Sequence, residues 1–451
     1  MINRVIDICA NNRFLVLLFV GAAVLMGWHS LKNTKLDAIP DLSDTQVIVY
    51  SKWDRSPDIM EDQVTYPITS ALLGLPKVKD IRGFSDFGYS YVYIIFEEGT
   101  DIYWARSRTL EYLNSVVPHL PKGVEVELAK DATAVGWVYE YALVDTGGQN
   151  SIEKMRSFQD WYLRYALQSV PGVAEVAPLG GFVRQYQVNI DPNKLLGYKI
   201  PINMVVGAIG KSNNDVGARL VEMSGREYMV RGRGYIKSLN DIGNIVVMSN
   251  PQTGTPVLVK DLATVTFGPD MRRGTGELDG KGEVVGGVVI MRFGEDAEKV
   301  IERVKQRIKE IEPTLPEGMK IVNTYDRSEL IDRSIDNLRH TLIEELIIVS
   351  LVIMIFLWHF PSAIIPIVTI PVTVILAFIP IQMSGMTANI MSLGGIAIAI
   401  GAMIDAAVVV VEPAPGVDAL PPQAATTTPT ARIPTVIKAA WRNRGRRFGP
   451  K

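Results

Sequence analysis

Asp405 is the only charged residue in the apolar run 390–411, IMSLGGIAIAIGAMIDAAVVVV. A carboxylate inside a bilayer costs roughly 2.5–3.5 kcal/mol on insertion-type scales, so such a residue marks function: carrying protons or ions, or pairing with a buried base. The run holds no second charge, so any partner comes from another helix. Gly394, Gly395, Ala397, Gly401, Ala402 and Ala406 let neighbouring helices approach its backbone closely. A soluble core helix is the competing reading, and the length of the run argues against it. This residue alone makes the chain a transporter candidate.

Positioning Asp405 requires a membrane bundle, and four segments are long and apolar enough to span a bilayer as helix. They are residues 14–31, 341–358, 364–381 and the Asp405 run. Arg4 and Arg13 precede the first apolar core, as in a signal peptide, but no small-x-small cleavage site precedes Trp28-His29-Ser30, so an uncleaved anchor is expected. The second segment carries Glu344 and Glu345 near its start, where an interfacial position is expected. The third is uncharged and contains Pro366, Pro371 and Pro380, which neighbouring helices accommodate in a membrane.

Residues 32–340 separate the first two spans, whereas the last three follow on very short turns. The large region and the 382–389 turn therefore share one side. Arg4 and Arg13, with Arg442, Arg444, Arg446 and Arg447 in the tail, place both termini in the cytoplasm. The large region then faces the periplasm, and the expected location is the bacterial inner membrane, multi-pass.

The composition is that of a multi-domain chain of 451 residues with net charge -2, which excludes a nucleic-acid footprint. One cysteine, Cys9, excludes an internal disulfide framework and a Cys-rich metal site, and His29, His119, His340 and His359 show no ligand spacing. No P-loop, HExxH, GxSxG or CxxC pattern appears, so the chain does not read as an enzyme.

Helical and strand patterns alternate through the large region. Tyr91–Phe96 reads as a buried strand, Ala105–Val116 as an amphipathic helix, and Val124–Leu128 as a strand opened by a Pro-Lys-Gly turn. Leu75-Pro76-Lys77-Val78-Lys79-Asp80-Ile81 matches Val170-Pro171-Gly172-Val173-Ala174-Glu175-Val176, each after a helical pattern and before a strand. Such a repeat is what a duplicated α/β sandwich leaves in sequence. Between 182 and 272, Gly-rich turns and short strands such as Ile245–Met248 and Val257–Val259 suggest an inserted subdomain.

One helix, a large domain and then consecutive helices resembles the N-terminal half of a resistance–nodulation–division efflux pump. The strings Asp37-Ala38-Ile39-Pro40-Asp41-Leu42, Gln63-Val64-Thr65-Tyr66-Pro67, Tyr103-Trp104-Ala105-Arg106-Ser107-Arg108 and Thr324-Tyr325-Asp326-Arg327-Ser328 point to the heavy-metal branch. The run Asn389–Ala407 is similar to the copper/silver (Cus-type) subgroup, and the resemblance covers about residues 1–412. It implies a multi-domain membrane protein of four transmembrane helices with a large periplasmic α/β region: ferredoxin-like α+β porter subdomains and an inserted docking subdomain. The expected parts are helix 1 within 1–35, porter subdomain 1 over 36–134, and porter subdomain 2 over 135–181 and 273–335. Docking subdomain 182–272 and helices 339–358, 364–383 and 390–411 complete the order.

By the same resemblance Asp405 is a proton-relay acid, H+ is the coupling ion and no resident cofactor is expected. The electrical part of that drive is about 2.3 kcal/mol per proton per 100 mV. Met271, Met391 and Met403 fall where the copper/silver pumps carry methionines proposed to pass the ion along. Thioether sulfur suits soft Cu(I) or Ag(I), although methionine also fills gaps in cores. Val410 stands where a further family methionine can occur. Met403 and Asp405, two residues apart, point to opposite sides of one helix, which is compatible with separate metal and proton routes. The implied partners are a periplasmic adaptor, an outer-membrane channel, two further copies in a homotrimer, and the lipid bilayer.

After Glu412 the resemblance gives way to Pro413-Ala414-Pro415 and a Thr/Ala/Pro-rich tail whose composition predicts disorder. Residues 413–451 read as a frameshifted tail, with a designed cytoplasmic tail as the other reading. The expectation is a truncated Cu(I)/Ag(I) exporter subunit that does not pump alone. A non-transporting module that joins or interferes with full-length protomers, and a divalent zinc/cobalt/cadmium efflux fragment, are the alternatives.

Overall fold

The computed structural model describes residues 11–249, 254–272, 274–357 and 360–411. Arg4, Cys9, His359 and the tail with its arginines lie outside the described residues.

Helix α1 (Arg13–Asn33) leads to two α/β units of the same topology. The first runs β1 (Gln46–Lys52), a helix over Pro57–Leu72, β2 (Val78–Asp86), β3 (Tyr89–Phe96), α3 (Ile102–Val116) and β4 (Glu125–Leu128). Calling the Pro57–Leu72 helix α2, this is a βαββαβ unit with antiparallel sheet order β2-β3-β1-β4. The second runs β5 (Trp137–Asp145), helix α4 over Ile152–Gln168, β6 (Val173–Leu179), β13 (Val285–Met291), a helix over Ala297–Ile311, and β14 (Met319–Asp326). Its order, β14-β5-β13-β6, repeats the first with the strands in equivalent places, which is the ferredoxin-like arrangement.

The repeat read from sequence marks this duplication. In each copy the chain leaves a helix, turns through a residue with positive φ, and enters the second strand. The turning residue is Lys77 (φ 60°) in one copy and Gly172 (φ 93°) in the other. Both helices carry a π-helical turn at the equivalent point, Glu61–Thr65 and Gln159–Leu163. In the second, Gln159 is fully buried and its Oε1 accepts the Tyr141 hydroxyl at 2.9 Å. Gly287 on the neighbouring strand makes room for that ring, since a Cβ there would sit 2.4 Å from it. Two separate cores result, one around Ile68, Phe96 and Leu113, the other around Tyr141, Leu163 and Ile301.

Between β6 and β13 the chain leaves as β7 (Arg184–Ile190) and returns as its antiparallel partner β12 (Ala263–Pro269). The insertion between them holds α5 (Pro192–Tyr198), α6 (Ile202–Ser212), the hairpin β8–β9 (Val216–Met223, Arg226–Gly232) and α7 (Leu239–Gly243). A short pair, β10 (Val246–Ser249) with β11 (Pro256–Leu258), and α8 (Val259–Leu262) complete it.

Calling the Ala297–Ile311 helix α9, three long helices follow: α10 (Ser328–Leu357), α11 (Phe360–Met383) and α12 (Ile390–Val411). Helix α10 begins well before the apolar segment read from sequence, because it starts at Ser328 with only Arg327 separating it from the end of β14. Among the described residues, α1 is the one helix that is long and apolar enough throughout to cross a membrane. Its Phe14, Leu17, Phe19 and Leu25 are each at least 70% exposed, the reverse of a soluble core helix. It packs on α11 at Gly27, where a Cβ would stand 2.8 Å from the Ile375 carbonyl.

Candidate functional site

The α/β units and the helices meet at a compact foot. Asp37, just past α1, and Arg327, just before α10, are both buried, and Arg327 Nη1 donates to Asp37 Oδ1 at 3.4 Å. The guanidinium also donates to the carbonyls of Val135 and Trp137, at 2.5 Å each, where β5 begins. Its backbone N–H donates to the Val138 carbonyl at 3.1 Å. Asp326 accepts from the Ser328 N–H (2.9 Å) and hydroxyl (2.7 Å), which satisfies an orphan donor of α10, and pairs with Lys305 of α9.

The segment after α1 is stitched in turn to the start of α12. Ala388 N donates to the Lys35 carbonyl (2.8 Å), Asp37 N to that of Ala388 (3.1 Å) and Ile390 N to that of Ala38 (3.2 Å). Asn389 then caps α12: its Oδ1 accepts from the Met391 and Ser392 N–H groups at 3.0 Å, and Ser392 Oγ accepts from Asn389 N at 2.7 Å. A cleft of about 420 Å³ opens beside this knot, lined among others by Asp37, Met291, Met386 and Asn389. Burial holds the Asp37 carboxyl above its ordinary value, and Arg327 offsets this only in part.

The strings that carried the family resemblance prove architectural. The Asp37 and Asp326-Arg327-Ser328 strings build the foot together. Thr65 of the second string joins its π-turn to the sheet through Ser85 and Ser90, each hydroxyl 2.7 Å away. In the third, Arg106 Nη1 donates to the Ala129 carbonyl at 2.6 Å, and Trp104 N is capped by Asp101 at 2.7 Å.

The four site residues expected from sequence are not gathered in one place. Met271 lies just past β12 and is 65% exposed. It lines a cleft of about 390 Å³ between the two α/β units, with Lys52, Asp54 and Tyr89 on one wall and Arg156, Phe182 and Arg272 on the other. Met391 is in the first turn of α12 at the foot and is 67% exposed. Met403 and Asp405 have helical backbone within α12, and their side chains lie outside the described residues. Among the described residues, no group of three His, Cys, Asp or Glu could hold a metal ion. The sequence reading passed over Met386, which is 55% exposed in the foot cleft beside Asn389, and its place in the 382–389 turn was the available signal.

The profile of the AcrB/AcrD/AcrF family matches residues 5–427, running past Glu412, where the resemblance read from sequence was expected to end. The chain is 51% identical over 413 residues to the Cation efflux system protein CusA of Escherichia coli (strain K12), covering 91% of this chain and 39% of that protein. It is 50% identical to the Putative cation efflux system protein SilA of Salmonella typhimurium, with the same coverage of both. Identity to the Cobalt-zinc-cadmium resistance protein CzcA of Cupriavidus metallidurans is 35% over 420 residues, again 91% and 39% of the two chains. A crystal structure of a heavy metal efflux pump superposes with TM-score 0.79 at 33% identity, over 90% of this chain and 40% of that one. The chain thus spans about two-fifths of the length of the curated relatives it matches. With a family match over most of its length and this shared fold, the chain belongs to the AcrB/AcrD/AcrF family, within the resistance–nodulation–division superfamily.

Proposed function

We propose that this chain forms the first membrane helices and first two periplasmic α/β units of a proton-driven exporter of Cu(I) or Ag(I) in the bacterial inner membrane. The observation that carries the reading is identity of 50–51% to two cation efflux proteins, against 35% to a relative named for cobalt, zinc and cadmium. Soft thioethers at Met271, Met391 and Met403 favour a soft monovalent cargo over harder divalent ions. In this reading α1, α10, α11 and α12 span the bilayer, and Asp405 takes up and releases the driving proton. The α/β units act as porter subdomains and the β7–β12 insertion as the docking surface for neighbouring protomers. The working assembly is a homotrimer with a periplasmic adaptor and an outer-membrane channel.

The foot explains how such a machine would couple its parts. Only Arg327 separates β14 from α10, the Asp37–Arg327 pair ties the start of α10 to the segment after α1, and backbone bonds tie that segment to the start of α12. A displacement of helices is therefore passed to the second α/β unit as a rigid-body movement rather than absorbed in a loop. The test is a chimera joining residues 1–411 to the complementary C-terminal part of CusA, expressed in a bacterium without its own copper and silver efflux. Restored silver tolerance, lost again with Asp405→Asn, is the expected result. A chimera that reaches the membrane intact but protects only against zinc or cobalt overturns the choice of cargo.

A further inference from the structure

Asp131 lies in the stretch that joins the two α/β units, between β4 and β5, and takes contacts from both of them. From the first unit, the Tyr103 hydroxyl at the start of α3 donates to its Oδ2 at 3.1 Å. From the second, Arg292 Nε reaches the same oxygen at 3.5 Å, and the Phe293 N–H donates to the Asp131 carbonyl at 2.9 Å. Arg106 holds the same stretch from the first unit through the Ala129 carbonyl. The Asp131 side chain is 15% exposed, while Tyr103 and Arg292 are half-exposed. A half-exposed ion pair is weak by itself. Here a hydroxyl, a guanidinium and a backbone N–H converge on one residue of the connecting stretch, which fixes the angle at which one unit leaves the other. Burial and the neighbouring carboxylate hold the Tyr103 hydroxyl above its ordinary value, so it stays a donor.

The cleft that holds Met271 lies at the other end of the same strands. In the first unit, Thr45 and Gln46, where β1 begins, share a small pocket with Asp131 and Phe293, whereas Lys52, where β1 ends, lines the Met271 cleft. In the second, Arg292 directly follows β13, whereas Leu179, paired with Gly286 near the start of β13, lines that cleft. Both strands have seven residues. A strand of this length spans about 20 Å, so a rotation of about 10° at Asp131 changes the width of the cleft by about 3–4 Å. The two units share no sheet among the described residues. Near the cleft, polar side chains face each other across the gap, Tyr50 and Glu127 on one side and Arg164 and Glu175 on the other. Such groups exchange partners with water at little net cost, so this contact can open.

We propose that Asp131 is the hinge of the two α/β units and the residue that positions the walls of the Met271 cleft. Asp131 touches no cargo. It acts through Tyr103 and Arg292, whose release lets the cleft widen as one unit turns on the other. That the cleft takes the cargo rests on the transport reading above; that Asp131 sets its width does not.

The test is the distance between two spin labels across the cleft, measured by electron paramagnetic resonance on the full chain in lipid vesicles. In a Cys9→Ser background, Lys52→Cys and Leu179→Cys carry the labels. Lys79→Cys with Glu125→Cys, both inside the first sheet, serves as the control pair. Asp131→Ala is expected to shift the cleft distance by several ångströms, or to broaden its distribution about twofold, with the control pair unchanged. Tyr103→Phe and Arg292→Gln, each removing one contact, are expected to act in the same direction to a smaller degree. An unchanged cleft distance in an Asp131→Ala protein whose control pair is intact overturns the proposal. If Asp131→Ala disturbs the control pair, Tyr103→Phe, which removes one half-exposed hydroxyl, decides alone. A chimera that exports silver with a cleft that Asp131→Ala leaves unmoved sinks the hinge alone. A cleft that moves in a chimera exporting no metal sinks the transport reading alone.

Discussion

Asp37 and Arg327 are 290 positions apart in sequence and 3.4 Å apart in the fold, with side chains only 8% and 5% exposed. The pair closes a ring of contacts joining the end of α1, the start of α12, the first strand of the second α/β unit and the start of α10. Two carbonyls as well as the carboxylate accept from the guanidinium, which offsets part of the cost of burying two charges, while its Nε has no hydrogen-bond partner among the described residues.

Removing the cation should therefore hurt more than removing the anion. Arg327→Ala leaves Asp37 buried without its partner and strips the Val135 and Trp137 carbonyls, for an expected loss of about 3–5 kcal/mol. Asp37→Asn keeps an acceptor and leaves both carbonyl bonds in place, so its loss should be clearly smaller. Thermal unfolding of the two variants in detergent checks the order, and equal losses would show that the ring does not depend on the guanidinium fork.

The pH dependence of Asp37 has a definite sign. Burial raises its carboxyl above the ordinary 3.8, and the opposing pull of Arg327 and the Ala38 and Ile39 N–H groups is smaller. Folded Asp37 thus holds its proton to higher pH than unfolded Asp37. Its contribution to stability is complete below the unfolded value and fades as pH rises through the raised folded value. Compared with Asp37→Asn, the parent protein should lose melting temperature as the buffer is taken upward from pH 3.8. A parent that gains on the variant over that range would mean that Arg327 outweighs burial.

Gly287 offers a packing test with an internal control. A Cβ at Gly287 would press on the Tyr141 ring at 2.4 Å and disturb its bond to Gln159. Gly287→Ala should cost about 1–3 kcal/mol. Gly197 in α5 has nothing within 4 Å of its Cβ position, so Gly197→Ala should be neutral or slightly stabilising. Denaturant midpoints of both variants measure the contrast.

Met271 and Met391, at 65% and 67% exposed, contribute little to any core. Met271→Leu and Met391→Leu should change stability by no more than about 0.5 kcal/mol. Their expected effect is on soft-metal affinity: titration of the membrane-inserted chain with Ag(I), read by competition with a thioether peptide, should show several-fold weaker binding. Unchanged affinity in both variants would return these residues to the role of ordinary surface methionines.

Much of the architecture is legible in the sequence because periodicity is local. The buried apolar run at Tyr91–Phe96, the helical stripe at Ala105–Val116 and the Leu75/Val170 repeat each report on a few adjacent residues, and they fall in β3, α3 and the two equivalent turns. The change of texture near 182 reflects the departure of β7 from the second unit, where strand pairing switches from β13 to β12. The short strands inside the insertion shift by a residue, to Val246–Ser249 and Pro256–Leu258, because their ends are set by each other's hydrogen bonds rather than by pattern.

The sequence by itself determined that an acid sits in an apolar run, that a duplicated α/β region lies between helices, and that the quoted strings resemble one family of pumps. All of these depend on residue type and short spacing. Tertiary structure decided what those strings do: Asp37 meets Arg327, Lys305 meets Asp326, and Thr65 meets Ser85 and Ser90, pairings between segments that no periodicity links. It also left Glu344 exposed and Glu345 half-buried. One step along a helix turns a side chain by about 100°, so two adjacent acids face different surroundings only once the neighbouring helices are in place.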